Sequence, residues 1–254
     1  MLSSRLIPCL LIHKGGLVKT RKFSDPRYVG DPINAVRIFN EKQVDELVVF
    51  DIDASVNNVE PDYRMIKYLA SECRMPLCYG GGVNSVKKVE KIISLGVEKV
   101  AIGSAANKNP HLLSEASSRV GSQSVVMVID VKKTGLFKKY EVVINNGKVR
   151  TGIHPSDLVQ SVSNTHVGEI IINSIDRDGT LDGYDFELID QIKPRVNTPL
   201  TVLGGAGSLE DIRDLVMRYG LIGAGVGSLF VLKGKYRAVL INYPDKYTKE
   251  KIMR

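Results

Sequence analysis

Several aspartates in this 254-residue chain stand at the ends of short apolar runs, where a carboxylate can trade protons with a bound molecule. Asp51 and Asp53 close the run Glu46 to Ile52, Asp130 closes Ser124 to Ile129, and Asp176 and Asp178 follow Glu169 to Ile175. Asp130 is the sharpest candidate for acid–base work. In an extended strand Val126, Val128 and Asp130 share one face. If the valines fill a core, Asp130 tops it, and burial or neighbouring carboxylates can raise its pKa toward neutrality. The blander alternative is an aspartate capping the next loop. Asp51 and Asp178 can equally be turn residues.

Anion binding is written twice. Tyr79-Gly80-Gly81-Gly82-Val83 is echoed by Leu203-Gly204-Gly205-Ala206-Gly207, with Gly81 and Gly204 lying 123 positions apart. Each run precedes a helical pattern and then a small pair, Gly103-Ser104 in the first half and Gly227-Ser228 in the second. Glycines opening a helix let backbone N–H groups approach an anion, and the helix N-terminus adds its positive end. Two paired sites suit a ligand with a phosphate at each end, or two ligands. Gly81, Gly82, Gly204 and Gly205 join the two Gly-Ser pairs as phosphate candidates. Lys19, in the basic stretch His13 to Arg27, is a further one. The alternatives are two tight strand-to-helix turns and a solvated lysine.

A third constellation belongs to the opposite ends of the strands. Arg5, Glu46, Lys99 and Glu169 each begin an apolar run. Parity puts Arg5 with Ile7 and Cys9, Glu46 with Val48 and Phe50, and Lys99 with Ala101. If those faces point inward, two cations and two anions must pair as an alternating ring, because buried unpaired charge is costly. Such a ring is a plug or gate into the interior. The alternative is four ordinary surface charges.

The elements that must position these groups alternate throughout. Strands are predicted at Leu6 to Ile12, Glu46 to Ile52, Pro76 to Tyr79, Lys99 to Ile102, Ser124 to Val131, Glu169 to Ile175, Pro199 to Leu203 and Leu221 to Val226. Helices are predicted from Asp31-Pro32, over Pro61 to Cys73 and Ser85 to Leu95, and from Pro110, His154, Asp185, Ser208 and Ser228. His13 to Gly30 reads as a long loop. Asn146-Gly147 marks a small two-stranded hairpin after the fifth strand. Eight strand–helix units without a linker predict one (β/α)₈ TIM barrel of class α/β over residues 1–254. An open doubly wound sheet is the competing arrangement. The stretch from Val44 to Asp53 returns at Val167 to Asp176, also 123 positions on, so the expected half-barrels cover about 1–122 and 123–254.

The net charge of +7 is dispersed and no nucleic-acid motif accompanies it, so an anionic small substrate is expected and nucleic acid is not. The apolar start, Met1 to Leu11, carries Arg5 and Pro8 and reads as a strand rather than a signal peptide. No apolar run is long enough to span a membrane. Three cysteines, Cys9, Cys73 and Cys78, have no metal spacing and fit reduced thiols in the cytoplasm. No metal and no cofactor are expected.

Together these residues resemble the cyclase subunit of imidazole glycerol phosphate synthase, over essentially the whole chain. The resemblance rests on Arg5-Leu6-Ile7-Pro8-Cys9-Leu10, Asp51-Ile52-Asp53-Ala54-Ser55, Gly80-Gly81-Gly82, Ile129-Asp130, Ser174-Ile175-Asp176-Arg177-Asp178-Gly179-Thr180 and Gly204-Gly205-Ala206-Gly207. It implies a glutaminase docked on the N-terminal barrel face, forming a heterodimer. Ammonia would pass through the barrel to a bis-phosphate ribonucleotide at the top. It implies that Arg5, Glu46, Lys99 and Glu169 form the ammonia gate. It adds Gly179 and Thr180, beside Asp178, to the substrate-binding set. Two aspartates do acid–base work in that family. The strand-five acid matches Asp130, but the strand-one acid falls on Leu11, and the usual strand-four Asn-Thr pair is Gly103-Ser104.

Leucine transfers no proton, so the chain resembles a divergent member that keeps the partner face and has changed the chemistry on top. Such members accompany glutaminase relatives in gene sets for surface polysaccharides, where they are thought to supply ammonia for amidination of nucleotide-linked sugars with a separate sugar amidotransferase. Two other readings compete. One is a true histidine-pathway cyclase using Asp51 or His13 as the second acid. The other is a barrel that binds phosphorylated ligand and regulates a partner.

Overall fold

In the computed structural model, which describes residues 4–163 and 165–253, the strands close into a ring. β1 (Arg5–His13) runs up through the barrel and turns back as β2 (Gly16–Arg21) and β3 (Ser24–Gly30). The wall continues with β4 (Leu47–Asp51), β5 (Leu77–Gly80), β6 (Lys99–Ile102) and β7 (Val125–Thr134). β7 turns back as β8 (Lys139–Ile144) and β9 (Val149–Arg150), before β10 (Glu169–Ser174), β11 (Leu200–Leu203) and β12 (Gly223–Val226) complete the wall. Parallel pairing of β12 with β1, through Leu6 and Ala224, closes the eight-stranded barrel. Outside lie α1 (Pro32–Glu41), α2 (Tyr63–Glu72), α3 (Val86–Ser94), α4 (Ser104–Lys108), α5 (His111–Val120), α6 (Pro155–Ser161), α7 (Phe186–Ile192) and α8 (Leu209–Tyr219). The chain is therefore a (β/α)₈ TIM barrel, as its strand–helix alternation predicts. Among the described residues no helix is long and apolar enough to cross a membrane.

Strand parity builds two cores. Val125, Met127 and Ile129 of β7 point outward into the helix layer. Val126 and Val128 point inward, where Ile7, Cys9, Val48, Cys78, Ala101, Ile171 and Leu203 meet them. The period of two that places Val126 and Val128 on the axis also carries Asp130 to its top.

The doubling reaches the helix caps. Asp31 and His154, Asp62 and Asp185, and Ser85 and Ser208 are N-caps of corresponding helices, each pair 123 positions apart. Five of the six accept a backbone N–H from their own first turn, for example Asn34 N to Asp31 at 2.9 Å, and Ser85 does not. Strand β2 and strand β8 are likewise 123 residues apart, so both halves fold a hairpin over the top of their first strand.

Three local expectations are corrected. His13 to Gly30 is not a loop: β2 and β3 pair antiparallel with each other, and β2 with the end of β1. Its turn is formed by Lys22 and Phe23 at φ 54° and 61°, with no Asn-Gly to announce it. The excursion after the fifth strand has three strands, because β7 runs past Asp130 to Thr134 and pairs with β8. After Ser228 there is only a 3₁₀ turn, Ser228–Phe230, then a hairpin of β13 (Leu232–Lys233) and β14 (Ala238–Val239). The last helix, α9 (Lys246–Ile252), starts beyond it.

Candidate active site

At the N-terminal end of the barrel, the chain brings four charges from four strands together. Arg5 Nη1 donates to Glu46, and Arg5 Nη2 donates to Glu169 Oε1 at 2.8 Å. Lys99 Nζ reaches Glu46 at 2.8 Å and Glu169 Oε2 at 2.9 Å. Each cation thus bridges both carboxylates, the alternating ring expected from parity. Glu46 and Glu169 are both 3% exposed, whereas Arg5 and Lys99 are only partly covered. Burial opposes the charge of Glu169, but Lys99 and Arg5 outweigh it and hold its carboxyl below the usual range. Burial likewise works against Arg5 and Lys99, and the carboxylates still raise both. Thr201, fully buried on β11, donates to Glu169 and adds a neutral member. Above the ring the axis is lined by Ile7, Val48, Ala101, Val126 and Ile171.

At the C-terminal end that axis opens into a cavity of about 120 Å³. Asp130 lies in its wall. Burial pushes its carboxyl up to about 7, Asn173 Nδ2 pulls it back by donating at 3.1 Å, and the charge of Asp178 raises it further. A carboxyl that titrates near neutrality can both take and give a proton. Asn173 escapes a reading of the sequence, although it lies two and four residues along the inward face from Ile171 and Glu169. Phe50, Thr20, Phe23, Ser55 and Asn146 also line the cavity, although the sequence marks none of them as a site residue. Leu11 stands in register with Phe50 and lines the same cavity, so the position that would carry a second acid is apolar.

Lys19, Asp51, Gly81, Gly103, Ser104, Asp178 and Gly227 join Asp130 in the cavity wall. Lys19 is carried in by the β2–β3 hairpin and is 5% exposed, with Nζ donating to Cys9 O. Burial lowers it to about 8. Asp51 is raised by burial, against hydrogen bonds from the N–H groups of Asp53 and Ala54. Asp178 is raised by burial too, although Thr20 Oγ1 donates to it at 2.7 Å.

Gly82, Gly179, Thr180, Gly204, Gly205 and Ser228 are not among the residues lining the cavity. Several of these glycines serve close packing. A Cβ on Gly205 would meet Gly183 O at 2.1 Å, and one on Gly179 would meet Thr20 O at 2.2 Å. At the second glycine run, the N–H groups of Gly207 and Ser208 are taken by Asp211 in a capping box. The two Gly-Ser pairs do match in shape: Gly103 and Gly227 have φ −102° and −98°, ψ −99° and −91°. His13, the other candidate for a second acid, pairs with Asp53 at 2.8 Å in an outer chamber rather than in the Asp130 cavity. Among the described residues no three His, Cys, Asp or Glu side chains gather as a metal site.

Residues 5–237 match the family described as histidine biosynthesis protein. The "Putative imidazole glycerol phosphate synthase subunit HisF" of Leptospira borgpetersenii is 55% identical, over 98% of each chain. The "Putative imidazole glycerol phosphate synthase subunit hisF3" of Vibrio vulnificus (strain YJ016) is 50% identical, over 100% of this chain and 97% of that one. The imidazole glycerol phosphate synthase subunit HisF of Alkaliphilus metalliredigens is 38% identical, over 91% of each. The chain belongs to the histidine biosynthesis protein family.

Proposed function

We propose that this member of the family is the barrel subunit of a glutamine-dependent amidotransferase, paired as a heterodimer with a glutaminase on its N-terminal face. Ammonia released there enters past the Arg5–Glu46–Lys99–Glu169 ring and travels up the apolar axis to the mouth. The observation that supports this reading is the lining of the barrel axis: a ring of paired charges at one end, Asp130 at the other, and small or apolar side chains between. Neutral ammonia crosses an apolar lining at low cost, whereas ammonium does not. Arg5 and Lys99 each bond both glutamates, so withdrawal of either cation would open the ring.

The mouth then supplies ammonia to an acceptor other than the histidine-pathway ribonucleotide. Leu11 removes one of two cooperating acid–base groups, a loss of roughly 10²–10⁴-fold for the cyclase reaction. Amidination of a nucleotide-linked sugar for surface polysaccharide, with a separate sugar amidotransferase activating the acceptor, fits a barrel that keeps the tunnel and gives up the chemistry. Relatives at 50–55% identity are named as putative HisF or hisF3 subunits, and one at 38% is named HisF. Lys19 and the backbone N–H groups of the Gly-Ser pairs would hold anionic groups of a phosphorylated ligand, and Asp51 and Asp178 would accept hydrogen bonds from its hydroxyls.

A second reading, a true cyclase, is favoured by Asp51, which shares the cavity with Asp130 and has a raised pKa. One experiment tests the channel under either reading. The reconstituted pair receives amide-¹⁵N glutamine together with unlabelled ammonium. Product labelled from glutamine is expected, and product labelled in proportion to the bulk pool overturns the channel.

A further inference from the structure

The three most exposed large apolar side chains of the described residues sit on two hairpin tips. Leu136 is 96% exposed and Phe137 84%, between β7 and β8, and Tyr236 is 87% exposed, between β13 and β14. The tips are built alike. Each reads glycine, any residue, aromatic, basic: Gly135-Leu136-Phe137-Lys138 and Gly234-Lys235-Tyr236-Arg237. Gly135 and Gly234 have φ 70° and 74°, and Lys138 and Arg237 have φ 47° and 50°. The fourth residue donates its N–H to the first carbonyl in both, at 3.2 Å and 3.0 Å. This four-residue turn holds its third side chain out into water.

Both fingers are pinned to one loop. Lys133 N donates to Asp176 Oδ2 at 2.7 Å, and the Arg237 guanidinium donates to Gly179 O at 2.6 Å. Both hairpins therefore rest against the segment after β10 that carries Asp178 into the cavity wall, on the face where the barrel opens. Lys132, Lys138 and Lys139 surround the first tip, and Lys233 and Lys235 the second. A small phosphorylated substrate explains positive charge near the mouth. It does not explain a phenylalanine, a leucine and a tyrosine held in solvent outside the cavity, since exposed apolar groups in concert mark an interaction surface.

We infer that the two tips are a docking fork for a second protein, one with an acidic face and an apolar recess for each finger, seated over the mouth. Charge complementarity decides the class. A second copy of this chain, at net charge +7, is a poor match for a basic fork. Insertion into a bilayer would drag Lys235, beside Tyr236 at the apex, into hydrocarbon. Stacking on single-stranded nucleic acid would leave Leu136 without a partner, because stacking uses aromatic faces. Resting on the function proposed above, the occupant is the enzyme that activates the ammonia acceptor. Docked there, it would receive ammonia without loss to solvent.

The test uses the barrel with its glutaminase, and a sugar amidotransferase from the same organism, immobilised as the probe. Leu136→Ser/Phe137→Ser/Tyr236→Ser should weaken binding at least tenfold, and wild-type binding should weaken as salt is raised. Glutaminase stimulation and Tm should not change in the variant. Equal binding by the triple variant overturns the inference. So does tip-dependent binding to phosphatidylserine vesicles or to a single-stranded oligonucleotide in place of the enzyme. Loss of glutaminase stimulation by the wild-type barrel would instead overturn the proposed function and leave the fork to be judged by the binding assay alone.

Discussion

Asn173 and Asp130 occupy the same register position on adjacent strands β10 and β7, and the asparagine amide donates to Asp130 Oδ1 at 3.1 Å. The bond favours the ionised carboxyl, while burial works against it and wins. A carboxyl raised to about 7 when folded, and near 4 when unfolded, costs nothing below pH 4. Its penalty grows as pH rises between those values and is complete above pH 7. Asp130→Asn should therefore stabilise the barrel at pH 8 and leave it unchanged at pH 4. The gain is at most about 4 kcal/mol, the free energy of carrying a carboxyl from its unfolded to its folded titration point. Thermal unfolding across that range checks the sign. Asn173→Val removes the donor and should move the Asp130 titration higher still, read by NMR of the carboxyl.

The floor ring titrates the other way. Glu169 is held below its ordinary pKa by Lys99 and Arg5 against the burial that opposes them, so its contribution is present above the unfolded value and disappears as pH falls through the folded one. Glu169→Gln leaves Arg5 and Lys99 sharing Glu46 alone, and should cost about 3 kcal/mol at pH 7. The difference from wild type should shrink below pH 4. Denaturant unfolding at the two pH values measures it.

Gly81 and Gly103 line one cavity yet should respond differently to alanine. Gly81 has φ 130°, and a Cβ there would meet Asp51 O at 2.5 Å and Asp51 Cβ at 2.7 Å. Gly81→Ala should cost at least about 2 kcal/mol and displace Asp51. Gly103 has φ −102°, and its nearest contact would be Val128 Cβ at 3.8 Å. Gly103→Ala should be close to neutral. Paired melting curves separate the two.

Ala101 sits on the axis at 2% exposure, among Ile7, Val48 and Val126. Ala101→Leu should cost about 1–3 kcal/mol by overpacking. It should also block glutamine-driven product formation while sparing the reaction fed with external ammonium. A ratio of the two rates equal to that of wild type would count against the axial path.

Much of this is legible because strands carry a period of two. Arg5, Glu46, Lys99 and Glu169 can be placed inward from the apolar residues two positions on. The same counting from Glu169 reaches Asn173, but three consecutive isoleucines before it mask the parity. The β2–β3 hairpin leaves no turn signature: Lys22 and Phe23 adopt positive φ without glycine or asparagine, held by the Lys22 N bond to Asp178 O at 2.9 Å. That bond spans more than 150 positions, so no local reading reaches it. Glycine runs announce close approach, but only packing decides whether the neighbour is a ligand or, as at Gly205 and Gly183 O, another strand-end loop.

The central claim is that the tunnel survives while the histidine-pathway chemistry at the mouth does not. The most direct measurement is turnover of the histidine-pathway bis-phosphate ribonucleotide with ammonium salts, by wild type and by Leu11→Asp/Gly103→Asn. The account predicts turnover near background for wild type and a gain of ~10²-fold or more in the double variant, whose asparagine has room against Val128. Robust turnover by the wild-type barrel would contradict it.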